Sequence, residues 1–341
     1  MKKILLAIVL VMFLGLISCK KSNSSDVVKK EEDESKTLSV IETYGQLSVR
    51  GNKIIDKNNN VIQLRGMSLF WSQWMGQYYT KEAVQWLKKD WGVTVVRAAM
   101  GVDEGEESYI YRPEIEKEKV FRVMDGAIEA GVYVIVDWHS HHAEDYLEES
   151  KSFFAEVAKK YGDEPNIIYE IYNEPLDVSW DIVLKPYHEA VIEEIRKYDS
   201  NNIIVCGTRL WSQRVDEVIS NPIQEDNIAY TLHYYSSTHK QELRDIATLA
   251  INADVALFVT EFGVSEASGN GVIDISEANI WWDFLDENKI SWCNWSIADK
   301  EEASAALYPG AAGTGNWSNE EITISGKMVR EELKEKNQDF N

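Results

Sequence analysis

Cysteine is scarce in this chain. The three present, Cys19, Cys206 and Cys293, are too few for a disulfide framework. Two of them sit in apolar, strand-like contexts ("NIIVCG" and "SWCNWS") and read as small buried thiols. Positive charge is scarce as well. Thirty-five Lys and Arg stand against 57 Asp and Glu, a formal net charge of −22. That excess argues against nucleic acid or an anionic lipid surface as the main partner and is compatible with an uncharged substrate. The N-terminal apolar run, Ile4 to Ile17, is short for a membrane span. No glycine-rich phosphate loop follows the first strand, and Gly269-Asn270-Gly271 lies in a loop with no helix at the required distance. Nucleotide-binding folds lose their support accordingly.

What is present is apolar and aromatic. Hydrophobic residues make up 44% of 341 positions, enough for a sizeable core, and 12 are Trp. The first 18 residues combine Lys2-Lys3, the apolar run and Ser18, the pattern of an export signal. Leu16-Ile17-Ser18-Cys19 resembles the lipobox of bacterial lipoproteins, in which the Cys is lipidated and becomes the mature N-terminus. Residues 19–37 are polar, charged and without apolar period, and read as a tether. The chain is therefore expected to be exported and lipid-anchored to the bacterial envelope, touching membrane only through Cys19.

From residue 38 onward one domain is expected. A short hairpin with its turn at Asp56 to Asn60 leads into an apolar strand ending near Ser68. Further strands are predicted over 93–100, 132–139, 166–173, 202–207, 227–235, 256–263 and 290–296. Amphipathic helices are predicted over 81–91, 118–130, 145–161, 181–198, 240–252 and 276–288. Short apolar runs alternating with helices specify βαβ units and a parallel sheet. Eight strands is the number that closes a (β/α)8 barrel.

The run "NIIYEIYNEP" is strand-like, yet it delivers Asn173 and Glu174. Burying an ionised carboxylate at a strand end is costly unless the strand opens into a site. Barrel active sites do lie at C-terminal strand ends, and the polar residues predicted there form a set: Arg97, His139, Asn173, Glu174, His233, Tyr235, Glu261 and Trp295. Two glutamates facing across a barrel mouth are what glycoside hydrolysis needs.

The segments "YEIYNEPLD", "DWH", "YTLHYY", "FVTEFG" and "ISWCNWSIADKEEASAAL" resemble glycoside hydrolase family 5, in particular its bacterial endo-β-1,4-glucanases. The resemblance implies a retaining, metal-free enzyme with no cofactor that acts on β-glucan as a monomer. By it Glu174 matches the acid/base and Glu261 the nucleophile. Arg97, His139, Asn173, His233, Tyr235 and Trp295 match residues lining the catalytic subsite. Trp74 matches a sugar-stacking tryptophan, and Lys300 and Glu302 match substrate contacts beyond the cleavage point. Glu261 should be ionised, helped by Arg97 and Tyr235, and Glu174 should titrate higher. Phe70 and Gly101 depart from the pattern, since close relatives carry His and Tyr there, which bears on subsite affinity. Cleavage of mannan, xyloglucan or lichenan is the sister reading on the same scaffold. The histidines of "DWHSHH" raise a catalytic metal as a rival, but the triplet follows the third strand and only His139 is expected to point inward. A sugar-binding protein without hydrolysis is a second rival, against which both glutamates stand.

Overall fold

The computed structural model describes residues 38–340. The predicted signal, Cys19 and the tether lie outside the described residues.

Two short strands, β1 (Ser48–Arg50) and β2 (Lys53–Ile55), form an antiparallel hairpin. Its tip is Gly51-Asn52, with Gly51 at φ +56°, not the Asp56–Asn60 segment predicted from the sequence. Asp56 to Asn60 makes a second turn instead. Asp56 Oδ1 accepts from the Asn58 and Asn60 amides, both at 2.8 Å, and an isolated bridge joins Ile55 to Val61. Glycine supplies the left-handed hairpin tip at no steric cost, while Asp56 uses its side chain to redirect the chain toward the barrel. The hairpin amides of Val49 and Asn52 donate to Asn227 and Asp254, residues that precede barrel strands. The N-terminal segment thus covers the end of the barrel opposite the site.

The eight predicted strands close into a parallel barrel: β3 (Arg65–Leu69), β4 (Val95–Gly101), β5 (Tyr133–His139), β6 (Ile167–Glu170), β7 (Ile203–Cys206), β8 (Ile228–Tyr235), β9 (Leu257–Gly263) and β10 (Ser291–Ile297), with β10 pairing to β3. All seven residues of β4, β5, β9 and β10 are buried, as expected of strands covered on both faces. β3 needs its glycine. A Cβ on Gly66 would lie 1.7 Å from the Val95 carbonyl oxygen, so no larger residue fits that approach. Cys206 and Cys293 are buried and free, and burial raises both thiols.

The predicted helices are present, with shifted ends. The helix expected from 118 begins at Pro113, where a missing N–H costs nothing in the first turn. Between β7 and β8 stand two short helical segments, Arg209–Ser212 and Glu217–Ser220, and the C-terminal helix Ile324–Lys336 was not predicted.

β6 is shorter than predicted, because its ladder ends at Glu170. The next residues continue by hanging on their neighbours: Ile171 N donates to Val205 O (3.1 Å), Asn173 N to Trp138 O (3.2 Å) and Glu174 N to Ser140 O (3.3 Å). Glu174 is carried past the ladder to the rim of the mouth.

Candidate active site

Register decides which side chains meet. Ser68 lies beside Arg97, Asp137 beside Glu170, and His233 beside Glu261 across adjacent strands. Arg97, fully buried, is the centre of the assembly. Its Nε binds Glu170 Oε2 at 2.7 Å, Nη1 binds Glu261 Oε2 at 3.0 Å, and Nη2 reaches Asp137 Oδ2 at 2.9 Å and Asn173 Oδ1 at 2.7 Å. Burial works against the guanidinium charge, but these three carboxylates hold it. Burial likewise pushes Glu170 up, and Arg97 then outweighs it, leaving that carboxyl below its ordinary range. At Asp137 burial prevails and the carboxyl is pushed well up. His139 takes Asp137 Oδ2 on Nδ1 at 2.6 Å, and burial next to Arg97 keeps it neutral.

Glu261 accepts from Arg97 at one oxygen and from the Tyr235 hydroxyl, 2.8 Å away, at the other. Burial and the charge of Glu261 keep that phenol protonated. Burial, with anionic Glu174 adding, also pushes the Glu261 carboxyl up, while His233, Arg97 and Tyr235 oppose. Glu261 is the deeper of the two glutamates, its side chain 6% exposed against 13% for Glu174. Glu174 faces His233 Nδ1 at 2.9 Å, and His233 Nε2 lies 2.8 Å from Thr260 Oγ1. Burial disfavours a charged His233, but the Glu170 and Glu174 carboxylates outweigh it and raise the imidazole to about 9.

One oxygen of Glu174 and one of Glu261 lie within 4.8 Å of each other, and of a His233 nitrogen. Two cavities open on this pair. A cavity of about 200 Å³ is lined by Phe70, Trp71, His139, His141, Trp295, Lys300 and Glu302 together with both glutamates. The other, about 400 Å³, adds Trp211, Gln213 and His239 to Glu174, His233, Tyr235 and Glu261. Trp295 stacks on His139 with ring centres 5.1 Å apart and planes 5° apart. Phe70 packs on Trp295, and Lys300 Nζ stands 4.5 Å from its ring centre while ion-pairing with Glu302. Trp74 is half exposed at the rim, leaning on Trp71 and Phe70, and lines neither cavity. The space over Gly101 is occupied: an added Cβ would meet Gln73 Oε1 at 1.8 Å.

Of the site residues expected from the sequence, His139, Glu174, His233, Tyr235, Glu261, Trp295, Lys300 and Glu302 line one cavity or the other, while Arg97 and Asn173 are buried and line neither. Sequence reasoning missed Asp137, Glu170 and Thr260. Asp137 and Glu170 were visible as charges inside apolar strands, which must find partners when buried. It also placed only one histidine of "DWHSHH" inward, whereas His141 lines the small cavity beside His139, with Nδ1 3.1 Å from the Glu174 carbonyl oxygen. Trp317 is buried against Trp91 and Tyr78. Among the described residues, the single group spaced for a metal is Glu174, His233 and Glu261, not the histidine triplet. Both ring nitrogens of His233 are already engaged, by Glu174 and Thr260.

A parallel barrel carrying two close carboxylates at its mouth has the architecture of a glycoside hydrolase. The chain belongs to glycosyl hydrolase family 5: the Cellulase model of that family matches residues 55–301. It is similar to Endoglucanase A of Evansella cellulosilytica (47% identical, 80% of this chain and 57% of that protein) and to Endoglucanase Z of Dickeya dadantii (48%, 83% and 65%). The chain therefore spans less than two thirds of the length of these curated relatives. Among solved structures, the catalytic domain of a Thermobifida fusca endoglucanase in complex with cellotetraose is 33% identical and superposes with a TM-score of 0.83, covering 87% of this chain and all of that domain. A Cytophaga hutchinsonii protein is 54% identical with a TM-score of 0.87, covering 88% and 98%.

The charge on His233 carries a stability consequence. Its folded value, about 9, lies above the ordinary 6.5, so the stabilisation is fully present below pH 6.5 and lost as pH rises through about 9. That shift is worth about 3 kcal/mol. His233→Gln should accordingly be less stable than wild type by about that much at pH 6, with the gap closing by about pH 9.5 in guanidinium melts. A gap that does not change with pH would contradict a charged His233.

Proposed function

We propose that the protein is a retaining endo-β-1,4-glucanase that cuts internal bonds of cellulose-type or mixed-linkage glucans. The observation that carries this is the approach of Glu174 and Glu261 to within 4.8 Å across the barrel mouth. Retaining pairs stand about 5–5.5 Å apart, whereas inverting pairs leave room for a water at about 6.5–9.5 Å. The curated relatives' names and the cellotetraose complex support the choice of glucan.

The chemistry follows from the partners. A Glu261 oxygen, aligned by Arg97 and Tyr235, attacks the anomeric carbon as the bond to the leaving oxygen breaks. The leaving oxygen takes a proton from Glu174. Water then attacks the same carbon, gives a proton to Glu174 and releases Glu261, restoring the starting configuration. Asn173 keeps its Nδ2 without a protein partner, because Oδ1 is taken by Arg97, and so has a donor to spare for the sugar 2-hydroxyl. Trp295, Trp71 and Trp211 offer aromatic walls, with Trp74 at the rim and the Lys300–Glu302 pair at the far side. Every group named comes from one barrel, so a monomer suffices.

Carboxymethylcellulose should lose viscosity faster than reducing ends appear, and cleavage confined to mannan would overturn the glucanase reading. The two glutamates should fail differently. Glu261→Gln should be nearly inactive on every substrate. Glu174→Ala should be crippled on glucan, spared on an aryl cellobioside with a good leaving group, and accelerated there by azide with a β-glycosyl azide as product. An α-glycosyl azide, or an α anomer as the first sugar from wild type, contradicts double displacement.

We also propose that the protein is exported and acylated at Cys19, on the strength of "LISC" and the polar tether after it. Cys19→Ala should release the protein from membranes without loss of activity. Wild type recovered wholly soluble, with an unmodified N-terminus, would count against the anchor.

A further inference from the structure

One buried hydroxyl in the site has no part in the chemistry above. Thr260 precedes Glu261 on β9 and is fully buried. Its Oγ1 lies 2.6 Å from Glu170 Oε1 and 2.8 Å from His233 Nε2. Glu170 is gripped by Arg97 through both oxygens, at 2.7 and 3.2 Å, so it stays ionised and can only accept. The hydroxyl hydrogen of Thr260 is therefore committed to Glu170, which leaves only a lone pair for His233. His233 must carry its hydrogen on Nε2. The nitrogen that gains and loses a proton is then Nδ1, 2.9 Å from Glu174 Oε1.

We propose that Thr260 is a positioning residue: by fixing the Nε2–H tautomer of His233, it makes His233 Nδ1 and Glu174 share one proton and hold it. The proposal rests on the reading of Glu174 as acid/base. With Nε2–H fixed, the loss of the shared proton leaves the bare Nδ1 lone pair against the Glu174 carboxylate. That contact is repulsive, so the pair resists giving the proton up. Without the hydroxyl, neutral His233 can move its hydrogen to Nδ1 and donate to anionic Glu174, and the proton leaves more easily.

The charged groups around this chain of hydrogen bonds act in both directions. Glu170 and Glu174 on the β6 segment and Glu261 on β9 favour protonation of the imidazole. Arg97 on β4 and His139 on β5 stand on the far side of Glu170 and Asn173, and His141 lies 3.7 Å from the second Glu174 oxygen. All of these remain when Thr260 alone is changed, so a shift caused by the substitution belongs to the tautomer.

The test uses the full chain and cellopentaose. In Thr260→Val the basic limb of kcat/KM should fall by about one pH unit, a roughly tenfold loss above the limb, with the acidic limb in place. Thr260→Ser, which keeps the hydroxyl, should restore the wild-type limb. An even loss across pH, or an unmoved basic limb, overturns the proposal. A second readout does not depend on activity. In protein labelled with ¹⁵N-histidine, above the basic limb, neutral His233 should be the Nε2–H tautomer in wild type and the Nδ1–H tautomer in the Val variant. Nδ1–H in wild type overturns the proposal even if the Val variant fails to fold. Wild type that leaves cellopentaose uncut would defeat the glucanase reading, while the tautomer measurement would still decide the role of Thr260.

Discussion

Arg97 is the constraint on which the rest of the site depends. A lone guanidinium could not remain charged and fully buried, and three carboxylates so close together could not share a dry barrel without it. The cation orients Glu261 with one nitrogen, holds Glu170 with another and a third atom, and fixes the amide of Asn173. Through Glu170 and Thr260 the same charge reaches His233 and so Glu174. The nucleophile and the acid/base proposed here are two ends of one bonded assembly.

Much of this could be read from the sequence, for a physical reason. Strands of a parallel barrel are buried on both faces, so each appears as an apolar run, and any charge in such a run calls for an explanation. Arg97, Glu174 and Glu261 were found in this way, and the motifs around the two glutamates led to the family. The same rule applied to Asp137 and Glu170 would have found them too. One cation and two acids in three neighbouring strands have to be paired: the register sets Asp137 beside Glu170, and the Arg97 side chain reaches from its place beside Ile135 to both. Thr260 gave no such signal, since a small hydroxyl residue is unremarkable in a strand and its importance lies only in what it bonds.

Other features depend on geometry that spacing does not encode. Glu174 stands past the end of the β6 ladder because three backbone bonds to neighbouring segments carry it there. Trp211 reaches its cavity from a run of three non-glycine residues, Leu210 to Ser212, each at φ +56°. Left-handed geometry at three such positions costs free energy and persists where the surroundings fix it. At Phe70 and Gly101, which the sequence marks as departures from the pattern it resembles, the space is filled by packing. The ring of Phe70 joins Trp295 and Trp74 beneath the Lys300 ammonium, and Gln73 fills the room above Gly101. The cleft wall there is built from packing and a cation–aromatic contact.

The central claim is that the Arg97 assembly makes Glu261 the nucleophile. The most direct measurement is to trap the covalent intermediate with a 2-deoxy-2-fluoro-cellobioside bearing a good leaving group, then locate the adduct by peptide mass spectrometry. The account requires a stoichiometric ester on Glu261 and none on Glu174, Glu170 or Asp137. An adduct on any of those three, or turnover of the reagent with no ester formed, would contradict it.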